Sequence, residues 1–252
     1  MITDSYHEGE TPIMGPKDFC SNQGDYGDTC IAFFSLDVLK KALERYESEQ
    51  VGLVSESIAR SPLYRIKGTR ILFYLSQIGA PSAGMMMDEA HYISGANNFI
   101  VFGSCGILNQ NISKGKIIVP TGAYRDEGFS YHFNKNSDYI NVKTSDITAK
   151  FFQKLNVPYL EGKTWTTDAF YHETKEEMTR RAKEGCIAVD MECAGLEALS
   201  EYRNFRFFTF FFGGDLLDAP IWNRENLGDD KEKKSQIDAF DYAVKFAKEL
   251  PY

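Results

Sequence analysis

The sequence predicts an α/β fold in which a twisted mixed β-sheet is flanked by helices, as a single domain over residues 1–252. Short apolar runs recur along the chain, and segments with helical spacing follow several of them. With 43% apolar and 14% aromatic residues, a chain of this length can bury a sizeable core. The length is also common for one α/β domain, so we expect one domain.

The composition favours small-molecule chemistry. A net charge of −8 and an isoelectric point near 5.1 disfavour a nucleic-acid surface, and no basic cluster overrides them. No apolar run approaches membrane-spanning length, and the polar, acidic N-terminus lacks signal-peptide features. The 5 cysteines are widely spaced without a C-x-x-C pair. We therefore expect a cytoplasmic protein with reduced thiols, no metal, and no membrane or nucleic-acid partner.

Local patterns predict the elements in order. Prolines and glycines among polar residues predict an irregular arm, apolar runs bounded by turn residues predict strands, and apolar positions three and four residues apart predict helices. In the first half these are the arm (1–28), a strand from Thr29, a helix within 35–49, a hairpin around Gly68 (62–75), a helix (81–94) and a buried strand (99–102). In the second half they are a helix (145–155), a strand (186–189), a helix after it, an aromatic strand (205–212) and a C-terminal helix (229–250).

The stretch 185–199 predicts a change from strand to helix with carboxylates at the junction. Asp190 and Glu192 lie there, and ligands of open α/β sheets bind beyond the carboxyl ends of strands. Such a carboxylate accepts two hydrogen bonds at once, as from the vicinal hydroxyls of a ribose, while Met191 offers an apolar surface to the sugar. The alternative is that Asp190 or Glu192 only caps the helix.

Two other strand ends carry small residues and polar groups. The strand before Gly103-Ser104-Cys105-Gly106 ends in residues that let a ligand approach the backbone and offer N–H groups to an anion. The aromatic strand ends in Gly213-Gly214-Asp215, which exposes a carboxylate with little steric cover. After it, the loop 216–230 holds Trp222 and Arg224, and its length suits a lid.

These motifs resemble those of the nucleoside phosphorylase family, which includes purine nucleoside and uridine phosphorylases and related nucleosidases. VDMECAGLEAL is similar to the family's V-x-M-E turn, and GSCGIL to its G-[ST]-x-G strand end. AYRDEGFS is similar to a segment of the uridine-phosphorylase-like branch. The resemblance implies a three-layer fold with the sheet between helices, and a homodimer or a hexamer built from dimers.

The resemblance also implies residue roles. The ribose-binding glutamate of the V-x-M-E turn is Glu192, the aromatic ring that stacks the base is Phe170, and the general acid of the purine branch is Asp215. Inorganic phosphate is the implied co-substrate, with no other cofactor. Taking these roles together with the local patterns, we expect Glu192, Met191, Phe170, Asp190 and Arg224 to bind the substrate. We expect Ser104 and Gly103 to bind phosphate, with Arg125 and Arg60 in place of the arginines that the family pattern has and this sequence lacks.

The sequence departs from the family pattern at two phosphate-binding positions. Val101 stands where the family usually has an arginine, and the segment Phe34 to Asp37 replaces a G-D-P-x-R loop. These losses fit a nucleosidase that uses water, which Asp37 would orient. A third reading is a catalytically silent nucleoside-binding protein, although the presence of both Glu192 and Asp215 argues against it.

The base is predicted from two positions. Asp215 matches the purine branch, whereas Thr174 and Glu176 stand where uridine phosphorylases carry the glutamine and arginine that read uracil. The wider likeness of the segments around Arg125 and Phe170 to uridine phosphorylases points the other way. We expect phosphate-dependent cleavage of a ribonucleoside to free base and ribose 1-phosphate, with a purine favoured over uridine.

Overall fold

The computed structural model describes residues 1–21, 23–55, 60–109, 111, 116–218 and 230–251. Its strands are β1 (Thr29–Phe33), β2 (Ser48–Val54), β3 (Ser61–Ile66), β4 (Ile71–Leu75), β5 (Asn98–Ile107), β6 (Ile117–Asp126), β7 (Tyr139–Asn141), β8 (Tyr159–Thr167), β9 (Cys186–Asp190) and β10 (Arg206–Leu216). Its helices are α1 (Leu36–Arg45), α2 (Ala80–Ser94), α3 (Ser145–Lys154), α4 (Lys175–Lys183), α5 (Cys193–Arg203) and α6 (Asp230–Ala247). The arm contains short 3-10 turns at Ile2–Asp4 and Pro16–Asp18.

The strands form one mixed sheet, which confirms the predicted fold class. Its order is β10-β6-β8-β9-β5-β1-β4-β3-β2, and β10 also pairs with β5, so the part from β5 to β10 closes into a ring. The strands β4, β1, β5 and β10 run parallel, as do β6, β8 and β9, whereas β5 meets β9 antiparallel near the carboxyl ends of both.

Helices cover both faces of the sheet because alternate strand residues point to opposite sides. On β1, Cys30 and Ala32 belong to a core shared with α2 and α5, whereas Ile31 and Phe33 belong to a core shared with α1, α3 and α6. The predicted three-layer arrangement of helices and sheet is therefore present.

Several elements are longer than the sequence patterns predict, or were not predicted. Strand β5 continues through the small residues to Ile107, because β10 pairs with it as far as the pair of Leu216 with Ile107. Strand β8 was not predicted because its inward side chains Thr164 and Thr166 are polar, yet both are fully buried and hydrogen-bonded to Asp190. Strand β2 and helix α4 were also not predicted.

The topology brings strand ends from distant parts of the chain together. The carboxyl ends of β1, β5 and β10 lie side by side, and those of β8 and β9 meet them where Gly106 pairs with Val189. These strand ends therefore lie around one opening. In the described ranges, no helix is both long enough and apolar enough to span a bilayer.

Candidate active site

A cavity of about 480 Å³ opens at these converging strand ends. Its wall includes Ser104 to Gly106 on β5, Val189 to Glu192 at the end of β9, and Asp215 on β10. Phe34 after β1 and the segment that holds Phe170 after β8 complete it. Most of the side chains predicted to bind or act on a ligand are thus brought into one cavity.

Glu192 is held between the starts of two helices. It is the residue before α5, and its Oε1 accepts a hydrogen bond of 2.6 Å from the backbone N–H of Gly79, the residue before α2. Gly79 has a φ of +97°, a conformation open to glycine at little cost, and this turn aims its N–H at the carboxylate. Burial raises the pKa of Glu192 to about 8. Because a carboxyl group that is hard to ionise gains from added hydrogen-bond donors, the site suits a ligand with hydroxyl groups.

Asp190 points inward and is already hydrogen-bonded. Its Oδ1 accepts from the N–H groups of Glu192 (2.8 Å) and Cys193 (2.7 Å), while its Oδ2 accepts from the hydroxyls of Thr164 (2.7 Å) and Thr166 (3.1 Å). Burial raises its pKa, against the opposing effect of these donors. The capping alternative therefore describes these contacts, and the proposed contact of Asp190 with a substrate stays a prediction.

Asp215 is buried at the cavity wall beside Gly106. A β-bulge lies between Gly213 and Asp215, and a bulge re-aims the side chains that follow it. An atom added at the Cβ position of Gly106 would stand 3.5 Å from Oδ1 of Asp215 and only 2.7 Å from the Val189 side chain. Glycine at position 106 thus keeps the space around this carboxyl open.

Two side chains give the cavity an exposed aromatic ring and an apolar surface. Phe170 lies in a 3-10 turn (Phe170–His172) after β8, is 46% exposed, and contacts the ring of Tyr171 with centroids 5.0 Å apart. Met191 lines the cavity beside Glu192. This places an aromatic face and a thioether around the same space.

The predicted phosphate-binding end carries small and apolar groups. Ser104 is exposed toward the cavity, whereas Val101 is buried. The ring of Phe34 lies over Gly103, since an added Cβ there would stand 3.1 Å from it. No lysine or arginine is among the described residues that line the cavity, whose ionisable side chains include four carboxyl groups.

Neither of the two predicted arginines that the structure describes, Arg125 and Arg60, lines the cavity. Arg125 is buried under the loop after β6, where it donates to Ser130 Oγ (2.7 Å) and to the carbonyl of Lys135 (2.6 Å), and burial lowers its pKa. These hydrogen bonds from Nε and Nη1 hold the loop in place, whereas the buried Nη2 has no hydrogen-bond partner among the described residues. Arg60 is exposed, and its backbone N–H bonds to the carbonyl of Ser55. Arg224 lies outside the described residues.

Asp37, the predicted water-orienting residue of the nucleosidase reading, is also away from the cavity. It lies in the first turn of α1, is exposed, and stands 4.0 Å from Lys40 Nζ. Its contacts are those of a solvated helix start, where a carboxylate is favourable for dipole reasons.

Sequence reasoning missed several residues of the cavity, among them Glu173 and Phe34. Glu173 follows the Phe170 turn and lies in the wall near Asp215, and no periodic pattern marks it. Burial and the charge of Asp215 raise the pKa of Glu173 to about 7. Phe34 was noted only as part of a missing loop motif, although its place directly after β1 was a usable signal.

The sequence is similar to a known protein family and to individual proteins. Residues 30–248 match the family model described as "Phosphorylase superfamily". The purine nucleoside phosphorylase DeoD-type 1 of Shewanella oneidensis is 30% identical over 187 residues, which cover 71% of this chain and 78% of that protein. The guanosine phosphorylase of Halorubrum lacusprofundi is 27% identical, over 60% of this chain and 66% of that protein.

Solved structures share the fold at low identity. A futalosine hydrolase mutant of Helicobacter pylori superposes with a TM-score of 0.71 at 15% identity, covering 89% of this chain and 100% of that one. The purine nucleoside phosphorylase of Toxoplasma gondii, in complex with immucillin-H, superposes with a TM-score of 0.73 at 16% identity, covering 88% and 91%. Within the described part of the chain, no cluster of three or more His, Cys, Asp or Glu side chains is suited to a metal ion.

Proposed function

This chain belongs to the phosphorylase superfamily, and we propose that it cleaves the N-glycosidic bond of a purine ribonucleoside with inorganic phosphate, giving free base and ribose 1-phosphate. The proposal rests on one observation: Glu192, Phe170 and Asp215 line the same cavity. These groups come from three different parts of the chain. Together they supply a diol acceptor, a stacking surface and a proton donor.

The ribose lies at the Glu192 end of the cavity. There the carboxylate accepts hydrogen bonds from the 2′ and 3′ hydroxyls, and Met191 packs against the sugar face. The fixed N–H of Gly79 holds Glu192 on one oxygen and leaves the other for the ligand. Hydroxyl donors favour the ionised carboxylate, so binding lowers the pKa of Glu192 from its raised value.

The base lies between Phe170 and Asp215. As the C1′–N9 bond breaks, its electron pair moves onto the base, and Asp215 donates a proton to N7. A purine anion is a poor leaving group, and a positioned acid contributes roughly 100-fold or more to such a step. The sugar gains oxocarbenium character meanwhile, which the carboxylates of the cavity stabilise electrostatically.

Phosphate attacks C1′ from the side of β5. An oxygen of phosphate forms the new bond while Ser104 and the backbone of Gly103 donate hydrogen bonds to the anion. Arg224, in the chain between β10 and α6, remains the proposed cationic contact. Purine is the proposed base because Asp215 suits protonation at N7 and because the relatives described above are named for purine nucleosides.

Hydrolysis is a second candidate, and one observation favours it. Phe34 occupies the space over Gly103, and the described cavity wall carries carboxyl groups without a lysine or arginine. A phosphate dianion is repelled by such a wall, whereas water is neutral and meets no electrostatic penalty. The futalosine hydrolase structure shares the same fold.

One assay separates these candidates. The protein is incubated with inosine, guanosine, adenosine and uridine, with and without phosphate, and the sugar product is identified by chromatography. Phosphorolysis predicts ribose 1-phosphate that appears only with phosphate. Free ribose at equal rates in both conditions supports hydrolysis instead, and the absence of any product from every nucleoside contradicts both.

A further inference from the structure

Strand β8 carries two threonines whose side chains face the protein interior. Thr164 and Thr166 are each 0% exposed, although threonine is mostly found at protein surfaces. Neither is among the described residues that line the cavity. Both hydroxyls donate to Oδ2 of Asp190, over 2.7 Å and 3.1 Å. These hydrogen bonds allow the two polar groups to be buried, yet the proposed reaction gives the threonines no task.

Asp190 has no acceptor site left for a ligand. A carboxylate offers about four lone-pair sites on its two oxygens. Its Oδ2 accepts from the two threonines, and its Oδ1 accepts from the backbone N–H groups of Glu192 (2.8 Å) and Cys193 (2.7 Å). All four sites therefore have donors from the protein. The carboxyl group is suited to link β8 to the start of α5 rather than to bind a ribose hydroxyl.

The same network reaches one residue further into α5. The backbone N–H of Ala194 donates to the hydroxyl of Thr166 over 3.1 Å, so this hydroxyl both donates to Asp190 and accepts from the helix. Three successive backbone N–H groups, those of Glu192, Cys193 and Ala194, are thus bonded to side chains of β8 and β9. The first N–H groups of a helix have no partner within it. These side chains therefore fix how α5 begins.

Glu192 is the residue whose position this network fixes. It directly precedes α5, and its backbone N–H donates to Asp190. At the other end of the side chain, Oε1 accepts from the N–H of Gly79. The remaining oxygen thereby has a defined direction. Because a hydrogen bond weakens steeply as its angle departs from linearity, a small rotation of the start of α5 costs contacts to ribose hydroxyls.

We propose that Thr164 and Thr166 are positioning residues that act through Asp190 to orient Glu192 toward the 2′ and 3′ hydroxyls of the nucleoside. This inference rests on the proposed function, since it takes Glu192 to bind the ribose. It extends the ribose site to two residues that do not line the cavity. The threonine hydroxyls contribute to affinity only when the ligand carries the ribose hydroxyls that Glu192 accepts.

The substitution Thr166→Val tests the inference. Valine has a similar shape but lacks the hydroxyl that bonds both Asp190 and Ala194. Calorimetric titration uses whichever of inosine, adenosine and uridine the parent binds best, and the 2′,3′-dideoxy form of the same nucleoside. Thr166→Val weakens binding of the nucleoside about 10-fold, the factor for one well-placed hydrogen bond. Its affinity for the dideoxy form stays at the parent value, whereas a general distortion of the cavity weakens both ligands.

Three further variants accompany this one, each checked first for a cooperative melting curve. Thr164→Val gives the same pattern, and it removes a hydroxyl that bonds Asp190 without touching an N–H group of α5. Thr166→Ser keeps the hydroxyl and restores the parent affinity for the nucleoside. Thr148→Val is the matched control, because Thr148 is also 0% exposed and its hydroxyl donates to the carbonyl of Thr144 at the start of α3, outside the cavity. Both of its affinities equal those of the parent.

The outcomes separate this inference from the proposed function. Equal weakening of both ligands, or unchanged nucleoside affinity in the two valine variants of β8, overturns the inference and leaves the proposed function standing. A parent that binds the nucleoside and its dideoxy form equally, or binds no nucleoside, contradicts the ribose role of Glu192 and overturns the inference with it. A parent that prefers the nucleoside, with the preference reduced in Thr166→Val, but that releases no base contradicts only the proposed reaction.

Discussion

At the scale of single residues, Glu192 illustrates how a binding group lowers the stability of the empty protein. Burial raises its pKa from an ordinary 4.5 to about 8. The native state therefore holds a proton that the unfolded chain has released, and the free energy of unfolding falls as pH rises between these two values. The cost of ionising this buried carboxyl group is lowered when ribose hydroxyls or another set of hydrogen-bond donors binds to it.

The first prediction follows from this titration. Glu192→Gln does not titrate, so its free energy of unfolding equals or exceeds that of the parent by a margin that grows from pH 4.5 to 8 and then stays constant. Each pKa unit is worth about 1.4 kcal/mol, which limits the gain to a few kcal/mol. Urea unfolding across this pH range measures the margin. The control is Glu176→Gln, because Glu176 is an exposed glutamate in the first turn of α4. A margin independent of pH, or one equal to that of this control, contradicts the prediction.

The second prediction concerns nucleoside affinity. Glu192→Ala removes the acceptor of two ribose hydroxyls and weakens nucleoside binding by roughly 2 to 4 kcal/mol, because hydrogen bonds to charged groups are worth about 1.5 to 3 kcal/mol each and do not add fully. Calorimetric titration with a nucleoside provides the value. A variant that binds as the parent does rules out the diol role.

The residue types at strand ends were predictable from the sequence. Which groups the side chains contact was not. Glu192, Met191, Phe170, Ser104 and Asp215 all lie in the cavity because each lies near the carboxyl end of a strand or follows one. An arginine such as Arg125 has long reach, and whether it serves a ligand or carbonyl groups depends on a loop fold that no spacing reveals. The same is true of Glu173, whose place depends on how its turn packs.

At the scale of elements, the cavity depends on the close approach of α2 and α5. Gly195 lies in α5 against the start of α2, where an added Cβ would stand 2.5 Å from Cβ of Ala80 and 3.0 Å from the ring of Phe129. The neighbouring residues Gly79 and Glu192 share the hydrogen bond that positions the carboxylate. The packing of these two helices therefore also sets the orientation of the Glu192 carboxyl group.

The third prediction tests this coupling. Gly195→Ala pushes the helix starts apart, lowers the free energy of unfolding by about 1–3 kcal/mol as overpacked cores do, and weakens nucleoside binding as well. Urea unfolding and calorimetric titration measure the two effects. Gly15→Ala is the matched control, since nothing lies within 4 Å of its added Cβ. Loss of stability with unchanged affinity shows that the two helix starts move independently of Glu192.

The elements that the sequence predicted best are those with turn residues at both ends. Helix α2 (Ala80–Ser94) and strand β1 (Thr29–Phe33) agree closely with the patterns. The extension of β5 through Gly103 to Gly106 escaped prediction because small residues indicate a turn, whereas here they admit a close neighbour: an added Cβ at Gly106 meets the Leu217 side chain at 2.5 Å. Whether such a segment forms a strand depends on long-range pairing, which here is the pairing with β10.

At the scale of the whole molecule, the arm and α2 form an apolar surface. Ile13 is 99% exposed, Met14 62% and Phe19 56%, and a hollow of about 370 Å³ lies between the arm and Met85 of α2. A contiguous exposed apolar surface is typical of an interface between protein chains. We expect this face to be covered in a homodimer or in a hexamer built from dimers.

The fourth prediction is the assembly itself. Sedimentation at micromolar concentration gives a mass of at least twice the 28.6 kDa of one chain, and Ile13→Asp shifts the distribution toward the monomer because it buries a charge in the interface. Ile147→Asp is the control, since Ile147 is a partly exposed apolar residue of α3 away from the arm. A parent that sediments as a monomer contradicts the assembly.

The central claim is that one cavity, built from the carboxyl ends of β1, β5, β8, β9 and β10, breaks a purine N-glycosidic bond with Asp215 as the acid. Release of free base tests it without regard to the nucleophile. Chromatography follows base formation from inosine, adenosine and uridine by the parent, by Asp215→Asn and by the exposed control Asp37→Asn.

The account predicts that the parent frees a purine base, that Asp37→Asn matches it, and that Asp215→Asn is about 100-fold slower or more at saturating nucleoside while its binding changes little, since asparagine keeps the shape but lacks the proton. A parent that frees uracil from uridine but no purine base, with Asp215→Asn as active as the parent, contradicts both the purine substrate and the role of Asp215.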